Sequence, residues 1–233
     1  MASSDWVEFW DNENSIYVNA HHAAAHFRRI AEDIRRYAPE DGSGVMLDYG
    51  CGEALSAGLV AEKVTRLILC EPAPNVRSMV AGRCAGNPKI VVRKPEDIMT
   101  MAAESIDVIV MHSVAQYVSP QELDTLFRRF RKLLKPGGLF VLGDVIPRKV
   151  SALTDALALL RFGSHEGFFW QAMRGLIRTR FSNYWKLRKT LGLERYDEGE
   201  ITAKLETAEF TVQRSRSNIG HNAKRMTFLA HAR

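Results

Sequence analysis

Between residues 45 and 144, short apolar runs without polar alternation recur, most of them separated by longer amphipathic stretches. A strand with one face in water alternates apolar and polar residues. An unbroken run is buried on both faces, as in a parallel sheet covered by helices on each side. Five such runs predict strands at Val45–Tyr49, Arg66–Cys70, 89–92, 106–111 and 139–143. The stretches between them predict helices at 56–64, 75–84 and 120–134, the last stopped by Lys135-Pro136-Gly137-Gly138 before the fifth strand begins. This pattern is that of a doubly wound α/β sheet.

The two ends of the chain depart from it. A helix over 20–37 places Phe27, Ile30, Ile34 and Tyr37 at helical spacing ahead of the first strand. After the fifth strand, Glu198–Thr207 predicts a helix, followed by two strands at 210–217 and 226–230 joined by the turn-rich segment 218–222. Consecutive strands with so short a link pair antiparallel, so the expected sheet has seven strands and is mixed, the last strand running antiparallel. The predicted organisation is an N-terminal helical lid (1–44), a core made of 45–147 and 196–233, and a helical cap at 148–195. A chain of 233 residues, 46% hydrophobic and 25% charged, can build one generous domain with an insert. No run reaches the roughly 18 uncharged apolar residues of a membrane span. The acidic N-terminus has no signal-peptide core, and Cys51, Cys70 and Cys84 form no CxxC pair. A soluble, cytoplasmic protein is expected.

The net charge of +5 is concentrated in the insert. Residues 148–195 hold ten Lys and Arg against three acids, a net +7, and seven of the 21 aromatic residues. A nucleic-acid-coating protein would spread its charge more widely, so nucleic acid is disfavoured as a partner. An apolar stripe (Phe168, Phe169, Ala172, Met173, Leu176 and Ile177) suits the wall of a small-molecule pocket. The insert's arginines suit an anionic group on that molecule, or peripheral contact with an anionic membrane.

The most informative stretch is Leu47-Asp48-Tyr49-Gly50-Cys51-Gly52-Glu53, where two glycines let the chain turn off the first strand and bring backbone amides close to a ligand. Glu71 ends the second strand, where a carboxylate can accept bonds from both ribose hydroxyls of an adenosine. Together with Glu96-Asp97-Ile98 after the third strand and Leu134-Lys135-Pro136-Gly137-Gly138 before the fifth, these residues resemble the class I S-adenosylmethionine-dependent methyltransferases over about 45–144. The resemblance implies S-adenosyl-L-methionine as cofactor, with Gly50 and Gly52 along its methionine part and Asp48 orienting the loop or meeting its amino group. It further implies Glu71 on the ribose, Pro72 or Ala73 beside the adenine, and Asp97 with Ile98 at the adenine edge. His112 and Ser113 would face cofactor and acceptor. Ala54 stands where many members carry a third glycine.

Methyl transfer requires the nucleophile held in line, water excluded, and a proton removed when the acceptor is a hydroxyl. Histidine is the natural base. The candidates are His112, at the carboxyl end of the fourth strand, and His22 with His26, four residues apart on one helical face. Asp144, just past the fifth strand, is a candidate to orient a histidine or the acceptor. Tyr17, Phe168, Trp170 and Arg174 are candidate acceptor contacts. His22 and His26 also suit a metal pair, but no third ligand is evident and no metal is expected. The Asn/Asp-Pro-Pro-Tyr pattern of amino-group methylation is absent, as residues 112–115 read His-Ser-Val-Ala. A small-molecule acceptor methylated on oxygen is therefore expected. Two alternatives stand beside it. One is an NAD(P)-dependent oxidoreductase, opposed by Leu55 where the dinucleotide fingerprint has its third glycine. The other is a methyltransferase fold that binds RNA or membrane through the basic insert.

Overall fold

In a computed structural model the strands are β1 (Val45–Tyr49), β2 (Arg66–Cys70), β3 (Ile90–Arg93), β4 (Ile106–His112), β5 (Leu134–Val145), β6 (Phe210–Arg214) and β7 (Met226–Ala232). They form one sheet in the order β3-β2-β1-β4-β5-β7-β6. The pairs from β3 to β5 are parallel, while β7 runs antiparallel to both β5 and β6. The structure describes residues 4–12, 19–150, 152–167, 169, 173 and 192–233, with the backbone alone at 4 and 152–156. Among them no helix is long and apolar enough to cross a membrane.

The helices are α1 (Ser4–Asp11), α2 (Ala20–Ile34), α3 (Ala57–Ala61), α4 (Pro74–Cys84), α5 (Pro95–Thr100), α6 (Pro120–Leu133), α7 (Ala152–His165) and α8 (Glu198–Thr207). Alternation along the strands divides the core between the two faces of the sheet. Leu47, Ile109 and Phe140 pack with Phe127 and Phe130 of α6 and Ile201 and Leu205 of α8. Met46, Val108 and Val141 pack with Ile34 of α2, Val60 of α3 and Val80 of α4. Because both faces are covered, the central strands carry no polar alternation.

Local signals start the elements. Ser119 and Glu122 form a reciprocal capping box at α6, with Pro120 in its first turn. Asn19 caps α2 by accepting from the His22 amide at 2.7 Å. Two sequence expectations are corrected. The helix expected over 20–37 ends at Ile34 and continues as a 3-10 turn, Arg35–Tyr37. Lys135-Pro136-Gly137-Gly138 lies inside β5 rather than before it, because α6 runs directly into the strand at Leu134. The register with β4 jumps from Ile106↔Leu134 to Val108↔Leu139, so the proline–glycine segment is a bulge. Lys135 Nζ is held there 2.8 Å from Asp107, whose other oxygen accepts from the Val45 amide. Of the expected cap, α7 and residues 192–195 are described.

Candidate functional site

The strand order reverses between β1 and β4, and open α/β sheets bind ligands in the crevice at such a point. A cavity of about 1230 Å³ opens there. Single-ligand pockets hold roughly 300–1,000 Å³, so this one has room for two molecules side by side. Its walls come from the β1 glycine turn, the carboxyl ends of β2, β4 and β5, helices α1 and α2, and the link between β6 and β7.

One end of the cavity is built around the glycine turn. Gly50 and Gly52 have φ of +78° and +56°, left-handed values that favour glycine. A Cβ on Gly50 would stand 2.3 Å from Val114 Cγ2, so no other residue fits without displacing that side chain. Ala54 takes a left-handed φ of +45°, the conformation that a glycine there would adopt without strain. The Gly50 and Cys51 amides donate to the Cys70 carbonyl at 2.8 and 3.1 Å, tying the turn to the end of β2. Glu71 is buried there and accepts from the Gly52 amide at 2.8 Å and the Ala73 amide at 2.9 Å. Burial pushes its carboxyl up, against the pull of those two amides and of Arg77. Asp48 is pushed up to about 7, first by burial and then by the neighbouring Glu71 charge. Two neighbouring carboxyl groups on the cavity wall, Glu71 buried and Asp48 half-buried, are suited to a ligand that brings a positive charge and hydroxyl donors.

Helix α1 closes this end. Trp6 and Trp10 pack on Tyr117 with ring centroids 4.7 and 5.8 Å apart. Asp11 accepts from the Asn75 amide at 2.5 Å, supplying the cap that α4's own N-cap residue, Ala73, cannot give.

The other end is lined by His26, His112, Ser113, Asp144, His221 and Arg225. Ser113 and Asp144 adopt left-handed φ of +56° and +62°, strain of the kind stored at functional sites. The Ser113 hydroxyl donates to Asp144 at 2.5 Å, the Asn218 amide at 3.2 Å and the Arg225 guanidinium at 2.8 Å. Burial raises Asp144, but Arg225, His112 and these hydrogen bonds outweigh it and hold the carboxyl below its usual range. His112 is lowered chiefly by burial, against the opposing charge of Asp144. His22 falls to about 4 and His26 to about 3, through burial and then the neighbouring His221. His22, His26 and His112 are therefore uncharged at neutral pH. No group of three ligands able to hold a metal occurs among the described residues.

Of the residues expected from sequence, the cavity brings together Asp48, Gly50, Gly52, Glu71, Pro72, His26, His112, Ser113 and Asp144. It does not bring in Asp97, Ile98 or His22. Asp97 accepts from the Lys94 amide at 3.2 Å and caps α5, and Ile98 is fully buried in the core. Pro95 and Glu96 of that segment line the cavity instead. His22 is turned toward Phe162 of α7, with ring centroids 6.2 Å apart. Tyr17, Phe168, Trp170 and Arg174 lie outside the described residues, as does most of the expected apolar stripe. Sequence reasoning missed Trp6, Trp10, Tyr117, His221 and Arg225. The spacing of Trp6, Phe9 and Trp10 is helical and could have revealed α1. His221 was accessible through topology alone: β6 runs parallel to β5, so the link after it returns at the ligand end of the sheet.

Residues 47–142 match the family model of a methyltransferase domain. No curated protein sequence matches the chain. Among solved structures, an S-adenosylmethionine-dependent methyltransferase from Mesorhizobium loti is similar at 16% identity, covering 87% of this chain and 96% of that one, with a TM-score of 0.55. The YcgJ protein of Bacillus subtilis matches at 15% identity over 80% and 70% of the two chains, with a TM-score of 0.57. A phosphoethanolamine N-methyltransferase of Haemonchus contortus, solved with phosphoethanolamine and S-adenosylhomocysteine, matches at 14% identity, 98% of this chain, 47% of that one and a TM-score of 0.59. At such identities the likeness is one of fold.

Proposed function

We propose that the chain is an S-adenosylmethionine-dependent methyltransferase that transfers a methyl group to a hydroxyl of a small molecule, a reading supported by the methyltransferase-domain match over residues 47–142 and by the likeness of fold. The carrying observation is a single cavity with two chemically distinct ends. The glycine turn with Asp48 and Glu71 suits the cofactor, and the imidazoles with Asp144 suit a hydroxyl that must lose its proton. Bound there, the cofactor would supply an activated methyl group on a sulfonium.

The chain's own residues do the rest. Glu71 has the reach and the charge to accept from ribose hydroxyls, and Pro72 lies beside it to flank the adenine. Asp48 faces the end that would take the cofactor's ammonium. Trp6, Trp10 and Tyr117 exclude water from that side. At the acceptor end, the Ser113–Asp144–Arg225 cluster fixes the wall against which the hydroxyl rests, and an imidazole of this end receives its proton. Leu193, near the end of the insert, lines the cavity from the cap side. This is the role expected of 148–195 as a whole: a wall for a small acceptor. A nicotinamide cofactor finds no favouring observation, and neither does RNA.

The test is a labelled-methyl screen in which the protein and S-adenosyl-L-methionine are incubated with fractionated metabolite extracts. Label is expected in hydroxyl-bearing acceptors as O-methyl groups. Label found only on amines, or in no small molecule, would overturn the reading.

A further inference from the structure

The link between β6 and β7 is tied down beyond what a surface turn needs. Asn218 donates to Asp144 at 3.2 Å and to the Asn222 carbonyl at 3.0 Å. The Ile219 amide donates to Thr227 Oγ1 at 3.1 Å, and the Gly220 amide to Asp33 Oδ2 of α2 at 3.0 Å. Gly220 passes between α2 and β4 at φ +86°, where a Cβ would meet His112 Nε2 at 3.6 Å and Ile30 at 4.0 Å. The side chain presented next to this pinned glycine is His221, which lines the cavity.

Two neighbours fix its ring. Phe162 of α7 stacks on it at 4.9 Å and 18°, and His26 meets it edge-on at 5.8 Å and 66°. Phe162 is itself nearly buried, beside His22, and the end of α7 is anchored where His21 Nε2 lies 2.9 Å from the Glu166 carbonyl. The docked cap helix therefore holds the imidazole in place. The other cavity imidazoles are less suited to take a proton. His112 Nε2 faces the Ile219 carbonyl at 3.4 Å, an arrangement that keeps a proton on that nitrogen. His26 is so deeply buried that its protonated form is strongly disfavoured.

We propose that His221 is a catalytic residue, the imidazole that accepts the proton of the acceptor's hydroxyl, and that Phe162 positions it. This rests on the hydroxyl-methylation reading above. The proton passes to the imidazole nitrogen as the hydroxyl oxygen bonds to the methyl carbon, and the sulfonium sulfur keeps the electron pair of the broken bond. The products are the O-methylated acceptor, S-adenosylhomocysteine and an imidazolium, so atoms and charge balance.

The probe is 4-nitrophenol, whose phenolate absorbs visible light, added to protein saturated with S-adenosylhomocysteine. Wild type is expected to bind it as phenolate at a pH where it is neutral in water. His221→Phe keeps a ring to stack on Phe162, and His221→Gln keeps a polar group. Both are expected to bind S-adenosylhomocysteine as wild type does, to leave the probe neutral, and to lower methyl transfer by roughly 10²–10⁴. Phe162→Leu is expected to weaken ionisation of the probe, and Phe162→Tyr to restore it. A wild type that leaves the probe neutral, or a phenolate in either His221 variant, overturns the inference. Loss of S-adenosylhomocysteine binding in both His221 variants makes the residue structural and overturns it too. If the probe ionises in a His221-dependent way but no hydroxyl is ever methylated, the proposed function fails and the proton-accepting role of His221 stands.

Discussion

Asp48 and Glu71 share one wall of the cavity, and their positions make opposite demands on folding and binding. Burial holds Asp48 near pH 7 in the free protein, far above an ordinary aspartate, so below that value it is mostly neutral. A ligand ammonium beside it would favour the carboxylate and draw its pKa back down. The bound state then carries fewer protons than the free state, so affinity for S-adenosylhomocysteine should be level above about pH 7. Below that it should fall by up to about tenfold per pH unit until the bound-state pKa is reached. Calorimetry between about pH 5.5 and 8 checks this. Asp48→Asn should bind more weakly at pH 8 and lose most of the slope, whereas an unchanged slope in that variant would clear Asp48 of the role. Residues of this kind were legible because their backbone context is local: Gly50 and Gly52 turn off a strand, and Glu71 ends the next one. Asp97 and Ile98 were not separable from Pro95 and Glu96 in the same way. Which residues of a short helix face a cavity depends on how α5 docks, and there Asp97 serves its own helix and Ile98 the core.

Strands β1, β2 and β4 are legible as elements because burial on both faces removes polar residues from them. Segment 135–138 is not, since proline and two glycines signal a turn whether they end a helix or bulge a strand, and only the pairing with β4 decides. Helix α1 is short, and its fold depends on aromatic contacts with Tyr117 and on the bond from Asn75 to Asp11 rather than on propensity. Asp11 is therefore the latch of the lid. Asp11→Ala removes the cap of α4 and loosens α1 at once, a change worth about 1 kcal/mol. Affinity for S-adenosylhomocysteine should fall roughly fivefold to tenfold, and Trp6 and Trp10 fluorescence should become more accessible to a neutral quencher. Unchanged quenching and affinity would show that α1 closes without the latch.

Across the whole molecule, the fold separates two jobs along one sheet edge. The parallel strands β1 and β2 carry the proposed cofactor residues, each at or just past a strand's carboxyl end. The proposed acceptor end gathers α2, the ends of β4 and β5, the β6–β7 link and α7, so no local pattern announces it. This explains why Glu71 can be read from local sequence while His221 is reached only through the strand topology. The central claim is that the cavity end built on the glycine turn and Glu71 binds S-adenosylmethionine, and calorimetric titration with S-adenosylhomocysteine of wild type and Glu71→Ala tests it most directly. Wild type should bind one equivalent, and Glu71→Ala should lose about 2–4 kcal/mol with two charge-assisted ribose bonds. No binding by wild type, or equal affinity in the two proteins, would contradict it.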